Sequence, residues 1–126
     1  MERIRWASIF ADGTPVELAY RFPGAHRRTG TAYDMALYLG SELEEAEYEE
    51  WRRRLAERVA VATGKMDVGL FILNGTSSNL AHGVVTQGKL LYARDDSVLK
   101  EFEAAVRTAF LRTVYESSVA SWRPTT

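Results

Sequence analysis

The sequence predicts an α+β domain in which a mixed β-sheet of about four strands packs against helices. Apolar residues alternate in residues 16–22, and a second strand-like run follows at Tyr33–Leu39. A long segment with helical spacing separates these runs from a third apolar run at 66–73. At 126 residues with 46% apolar side chains, the chain fits one compact domain with a substantial core.

The first quarter of the chain begins with residues 1–15, which fit a short helix or an irregular strand. A strand is expected at 16–22. The period of two places four of its side chains on one face: Val16, Leu18, Tyr20 and Phe22. Residues 24–32 are polar, basic and punctuated by glycine, which is typical of a loop leading to the strand at Tyr33–Leu39.

A long helix is predicted after Gly40. Ser41 and Glu44 match a capping box, and Gly64 is placed to end the helix. Apolar residues recur at helical spacing through this segment: Leu43, Tyr48, Trp51, Leu55, Val59 and Ala62. Acids crowd the first half and arginines the second, which suits the helix dipole and favours a solvated helix face over a binding patch.

The second half of the chain continues with the strand at 66–73 and a turn at Asn74 and Gly75. Residues 76–79 offer several N-caps for a short helix that Gly88 ends. A strand at Lys89–Ala93 and a last helix follow, and an apolar stripe runs along that helix. We expect a single domain over residues 1–115 and a flexible C-terminal tail over 116–126.

The composition argues against several functions. With 16 basic and 17 acidic residues the chain lacks the basic excess of a general nucleic-acid binder. The absence of cysteine removes disulfides, thiolate metal sites and a cysteine nucleophile. No apolar run approaches the ~20 residues of a membrane span, and the first residues lack an apolar signal core. A soluble cytoplasmic protein is therefore expected.

Two acids near strand starts are the best candidates for chemistry. Asp34 and Asp67 each lie near the N-terminal side of a predicted strand, so their carboxylates meet at one sheet edge if the strands are neighbours. Such a pair can hold Mg²⁺, which takes one or two protein carboxylates together with substrate phosphates. On spacing alone, two unrelated surface acids are the favoured alternative.

The basic loop offers a weaker candidate for phosphate binding. Gly24, Arg27 and Arg28 could approach a phosphate through backbone donors and guanidinium groups. The loop lacks the Gly-Lys-Ser/Thr core of a P-loop, and an ordinary solvated turn is the favoured explanation.

The order of these parts resembles the minimal nucleotidyltransferases, small members of the DNA polymerase β superfamily that often serve as antitoxins to HEPN-domain toxins. The second half carries the likeness best, with MDVGLFILN at 66–74, LAHGVVTQGKLLY at 80–92 and the helix of Phe102 and Glu103. The family's Phe-Gly-Ser motif and Asp-x-Asp motif correspond to FPGAHRR at 22–28 and YDMAL at 33–37.

The resemblance implies a nucleotidyltransferase fold whose site has lost parts. No serine follows Gly24, and Ala36 stands where the family's second aspartate would be. Asp34 and Asp67 correspond to the first and third acids, which implies roles in catalysis and metal binding. If the site works, the resemblance implies Mg²⁺ and ATP as cofactors. It would then place Gly24, Arg27 and Arg28 near the phosphates.

Two functions follow from the resemblance. The favoured hypothesis is a degenerate, catalytically impaired nucleotidyltransferase-like protein that binds a HEPN-domain protein as an antitoxin. The alternative is an active enzyme that transfers AMP from Mg-ATP to a hydroxyl of its protein partner. Self-association is left open, and membrane or nucleic-acid partners are not expected.

Overall fold

The computed structural model describes residues 5–22, 33–40, 42–65 and 67–121, which contain four helices and four strands. In chain order they are α1 (Trp6–Phe10), β1 (Val16–Arg21), β2 (Tyr33–Leu39), α2 (Glu45–Thr63), β3 (Val68–Ile72), α3 (Ser78–Gln87), β4 (Lys89–Ala93) and α4 (Asp96–Ser121). The helix alternative for the N-terminal segment is thus the one observed.

The strands form one sheet in the order β3-β2-β1-β4. β1 pairs antiparallel with both β2 and β4, whereas β2 and β3 run parallel. A parallel pair needs a crossover connection, and α2 supplies it. The predicted α+β fold with a mixed sheet of four strands is confirmed.

Each face of the sheet carries its own apolar cluster, and helices cover both. The first cluster joins the sheet to α1 and α2 through Phe10, Leu55 and Val59. The second lies under α3 and α4 and has these buried members: Leu18, Tyr20, Ala36, Leu73 and Val84. We call the second one the α3/α4-face cluster. None of the helices in the described ranges is both long enough and apolar enough to cross a bilayer.

A bulge in β1 corrects the predicted strand face. The register with β2 shifts between Val16 and Leu18, so two residues of β1 lie where one would be expected. Val16 consequently packs in the first cluster, while Leu18 and Tyr20 pack in the α3/α4-face cluster. The prediction that Val16 shares a face with Leu18, Tyr20 and Phe22 is therefore wrong for Val16, because simple alternation does not allow for an inserted residue.

The start of α2 also differs from prediction. The helix begins at Glu45, and its N-cap is Glu44, which makes no side-chain cap hydrogen bond. The observed N-cap lies three residues after Ser41, the predicted one, and Ser41 itself lies outside the described residues. Leu43 packs against the first cluster, which keeps the chain extended up to Glu44. The helix ends at Gly64 in the left-handed conformation (φ 71°), as glycine permits.

α4 is longer than the sequence indicated. It runs to Ser121, six residues beyond Tyr115, where the tail was expected to follow. The three serines and the valine in 116–121 have modest helix propensity, yet they continue a helix that is already nucleated and packed along its first half. The domain limit at residue 115 stays a prediction.

Arg94, directly after β4, ties the N-terminal segment to the sheet. Its guanidinium donates to four backbone oxygens: Val16 O at 3.1 Å, Ala11 O at 3.2 Å, Phe10 O at 3.3 Å and Thr14 O at 2.8 Å. The planar guanidinium fork can serve several acceptors at once. One side chain therefore holds the end of α1 and the following turn against the edge strand.

Replacing Arg94 with leucine is expected to lower the free energy of unfolding by about 1–3 kcal/mol, because partly buried carbonyls lose their donor. Arg94→Lys should recover only part of this loss, since an ammonium group lacks the fork. Chemical denaturation measures both variants, with Lys65→Leu as an exposed control. Wild-type stability in Arg94→Leu would contradict the clamp.

Candidate functional site

Asp34 and Asp67 lie at the same edge of the sheet. The parallel strands β2 and β3 both start there, with Asp34 the second residue of β2 and Asp67 directly before β3. In the ladder Asp34 faces Gly69, two residues after Asp67. Regular strand spacing then gives about 8 Å between the Cα atoms of the two acids. The two strands are therefore neighbours, which is the condition for a site shared by the two carboxylates.

The two acids also share a face of the sheet. Residues two apart on a strand point the same way, so Asp34 points with Ala36, and the position of Asp67 has the parity of Gly69 and Phe71. Ala36 and Phe71 both pack in the α3/α4-face cluster. Gly69 carries no side chain, so nothing from β3 stands opposite Asp34 on this face. The arrangement allows both carboxylates to approach one cation.

Burial separates the two acids. Asp34 is only 5% exposed, whereas Asp67 is exposed to solvent. A carboxylate held away from water favours partners that stabilise its charge, such as hydrogen-bond donors or a cation. Asp34 therefore has the buried environment expected of a ligand-binding carboxylate, and Asp67 has the solvent exposure that a ligand needs to reach it.

Ala36 stands two residues after Asp34 on β2, where the sequence resemblance implies a second aspartate. It is fully buried, and its ladder partners are Tyr20 on β1 and Phe71 on β3. Leu73 and Val84 complete the apolar surroundings. This position is closed to solvent and offers a ligand neither charge nor access.

A polar pair that the sequence did not reveal lies over the same face. The Tyr20 hydroxyl donates to Oε2 of Glu103 on α4 at 2.9 Å, and Tyr20 is only 1% exposed. Burial, and then the hydrogen bond and charge of Glu103, raise the pKa of Tyr20 well above its usual range. Beside this pair, Tyr38 packs on Phe102 with 4.5 Å between ring centroids. The first half of α4 is thereby fixed over the strands that carry the acids.

The predicted phosphate-binding residues Gly24, Arg27 and Arg28 lie outside the described residues. The chain on either side of them is placed: β1 ends at Arg21 and β2 begins at Tyr33. The Phe22 N–H donates to the carbonyl oxygen of Asp34 at 3.3 Å. The segment between the two strands thus leaves and rejoins the sheet beside Asp34.

The side chains available as metal ligands limit metal binding at this site. Within the described ranges, no group of three or more histidine, aspartate or glutamate side chains is arranged to hold a metal ion. Asp34 and Asp67 provide two carboxylates, which suffices for one Mg²⁺ completed by substrate phosphates and water. Clamping two metal ions requires shared carboxylates beyond this pair. The residues present fit a single weakly held cation.

Grooves lined by described residues lie elsewhere, and two of them are the following. One of about 630 Å³ runs between α1 and α2 along Ile9, Arg58 and Val61. Another of about 300 Å³ lies beside Tyr38 and Asn74, at the opposite end of β2 and β3 from the acids. Neither includes Asp34 or Asp67, so the strand-start edge is the candidate site on chemical grounds rather than by cavity size.

The fold is that of the chains found in minimal nucleotidyltransferase antitoxin complexes. A chain of the toxin–antitoxin MntA-HepT complex carrying the D39ED41E mutation is 22% identical, with a TM-score of 0.68 and coverage of 95% of each chain. A toxin–antitoxin structure with AMP-PNP gives 24% identity, a TM-score of 0.66 and coverage of 92% of each chain.

A third similar structure is the tri-AMPylated HEPN toxin of Shewanella oneidensis in complex with MNT antitoxin. It gives 24% identity and a TM-score of 0.65, covering 91% of this chain and 88% of the other. No protein-family model and no curated protein matches the sequence. The fold likeness extends over nearly the whole chain, which agrees with the fold that the sequence resemblance implied.

Proposed function

We propose that this protein is an antitoxin-type binding partner of a HEPN-domain protein and that its nucleotidyltransferase-type site is catalytically impaired. The observation that carries the impairment is Ala36, fully buried among apolar side chains at the position of a metal-binding aspartate. The fold likeness to chains of antitoxin complexes with HEPN toxins supports the partner.

Charge explains why one missing carboxylate matters. Phosphoryl transfer depends on metal ions that neutralise charge developing on the phosphate oxygens. With only Asp34 and Asp67 as protein ligands, carboxylate oxygens would contact Mg²⁺ from one side alone. Binding to a protein partner has no such requirement, because it depends on surface complementarity rather than on the metal.

An active enzyme is the alternative, and the placement of the two remaining acids favours it. In that case the partner's hydroxyl oxygen attacks the α-phosphorus of ATP and loses its proton, the new P–O bond forms, and pyrophosphate leaves. Asp34 and Asp67 would hold the metal, and Gly24, Arg27 and Arg28 would contact the phosphates. The similar structures that contain AMP-PNP or an AMPylated toxin make this alternative concrete.

Co-expression with the protein encoded by the neighbouring open reading frame tests the proposal. We expect a complex that co-purifies with wild-type protein and equally with Asp67→Asn, because Asp67 is exposed and its substitution leaves the core intact. A chain that purifies alone under these conditions would contradict the binding function.

Labelled ATP separates the impaired site from the active one. With Mg-ATP and the purified partner, we expect no label on the partner above the level given by Asp67→Asn. Label that depends on Asp67 would overturn the impairment and establish the transferase. A thermal shift is a second measurement, since a ligand that binds only the folded state must raise the midpoint; we expect none with Mg-ATP.

A further inference from the structure

The second half of α4 exposes apolar side chains that nothing in the described structure covers. Val106 is buried and Phe102 is partly buried over the sheet, but the side chains from 114 to 119 are all exposed. Four large apolar residues of this helix lie between 44% and 70% exposed: Leu111, Val114, Tyr115 and Val119. We call these four residues the α4 stripe.

The α4 stripe lies on the side of the helix opposite to the side that packs on the domain. Successive residues turn by about 100°, which confines the four stripe residues to an arc of about 140°. On the same helical wheel, Phe102, Val106 and Thr113 lie about 180° away from the stripe's centre. The two faces serve different neighbours, because the packed face is already occupied by the sheet and α3.

Two opposite charges border one flank of the stripe. Arg112 and Glu116 are both exposed and lie on the same side of the stripe, one turn apart. Neither forms an ion pair with the residues that the structure describes. With the base N-terminal to the acid, their order is the less favourable one for pairing within a helix.

From this geometry we infer that the α4 stripe binds a second copy of this chain, with the two α4 helices antiparallel. A two-fold axis between Val114 and Tyr115 brings the two Val114 side chains together on one side of the contact and the two Tyr115 side chains together on the other. The same axis brings equivalent flanks together, so that each Arg112 faces Glu116 of the second copy. The symmetric dimer thus covers the stripe on both copies and forms the contact between Arg112 and Glu116 twice.

The short length of the stripe determines the strength of the association. The contact extends over about two turns of each helix. The surface area that it buries is therefore below the total of about 1,200 Å² typical of stable complexes. A dissociation constant in the micromolar range is therefore expected. The inference is independent of the HEPN partner, because it concerns the chain alone.

Sedimentation equilibrium of the full chain over about 1–300 µM tests the inference, since micromolar association should appear in this range. Wild-type protein should change from monomer to dimer, and Tyr115→Asp should weaken the association by about tenfold or more. Val61→Asp is the matched control, because Val61 is an 85% exposed apolar residue on a different helix and should leave association unchanged.

A charge exchange tests the orientation. Arg112→Glu and Glu116→Arg should each weaken association by about two- to tenfold, and the double variant should restore it. Circular dichroism must show equal helix content, so that the recovery reports the contact between copies. A wild-type chain that stays monomeric throughout, or a dimer indifferent to the stripe and charge variants, would overturn the inference. If the wild-type chain is monomeric and Tyr115→Asp loses HEPN binding, the stripe would instead be assigned to the contact with the HEPN partner.

Discussion

Ala36→Asp is expected to lower the free energy of unfolding by about 3 kcal/mol or more. The substitution puts a carboxylate into a position that is fully closed to solvent, between Tyr20 and Phe71. Denaturation should be measured in the presence of a chelator, because a bound divalent cation would offset the added charge. The result matters for function, since it implies that restoring the Asp-x-Asp pattern by one substitution would harm the fold.

Ala46→Asp is the matched control for this experiment. Ala46 is exposed in the first turn of α2, where a negative charge interacts favourably with the helix dipole. Its stability should stay within about 0.5 kcal/mol of wild type. If Ala36→Asp were as stable as this control without metal, position 36 would have to be open to water, and the argument for an impaired site would lose its basis.

Tyr20→Phe is expected to cost about 1–3 kcal/mol at neutral pH, because the partly buried Glu103 carboxylate loses its donor. The pKa of Tyr20 is raised in the folded state, so the unfolded chain releases this proton first as the pH rises. The hydroxyl's contribution is therefore complete below pH ~10 and is lost above it. The stability gap between wild type and Tyr20→Phe should narrow from about pH 10 upward.

The control for the tyrosine variant is Tyr115→Phe, which removes the same atom from a side chain that is 70% exposed. Its free energy of unfolding should match wild type at neutral pH and show the same alkaline decline. Fluorescence-detected denaturation at several pH values measures both variants. A gap that stays constant to strongly alkaline pH would mean that Tyr20 titrates equally in the folded and unfolded chain.

Periodicity predicted most of the architecture because the apolar faces of these elements are regular. The limits of β2 and β4 agree with the predicted strands, and Gly64 and Gly88 end their helices. Where the structure departs from prediction, contacts distant in sequence decide. Because of the bulge in β1, Val16 packs in one apolar cluster and Leu18 in the other. Leu43 packs on the core just before α2 begins.

The candidate site was predictable only in part. Asp34 and Asp67 were recognisable because each acid stands out at the start of an apolar run. Their shared edge depends on the parallel pairing of β2 and β3, which the periodicity of the two strands does not specify. The contact between Tyr20 and Glu103 joins residues 83 positions apart, and neither residue type nor spacing indicates such a pairing.

The order in which the sheet is completed has a consequence for synthesis of the chain. β1, near the N-terminus, is a central strand whose second neighbour, β4, is made only after all the other strands. The helix that covers Tyr20 and Ala36 comes later still. While the chain is emerging from the ribosome, the part of this apolar face that α4 covers therefore stays exposed until α4 itself has emerged. Ribosome-bound fragments ending before α4 should accordingly bind chaperones or hydrophobic dyes, and full-length chains should not.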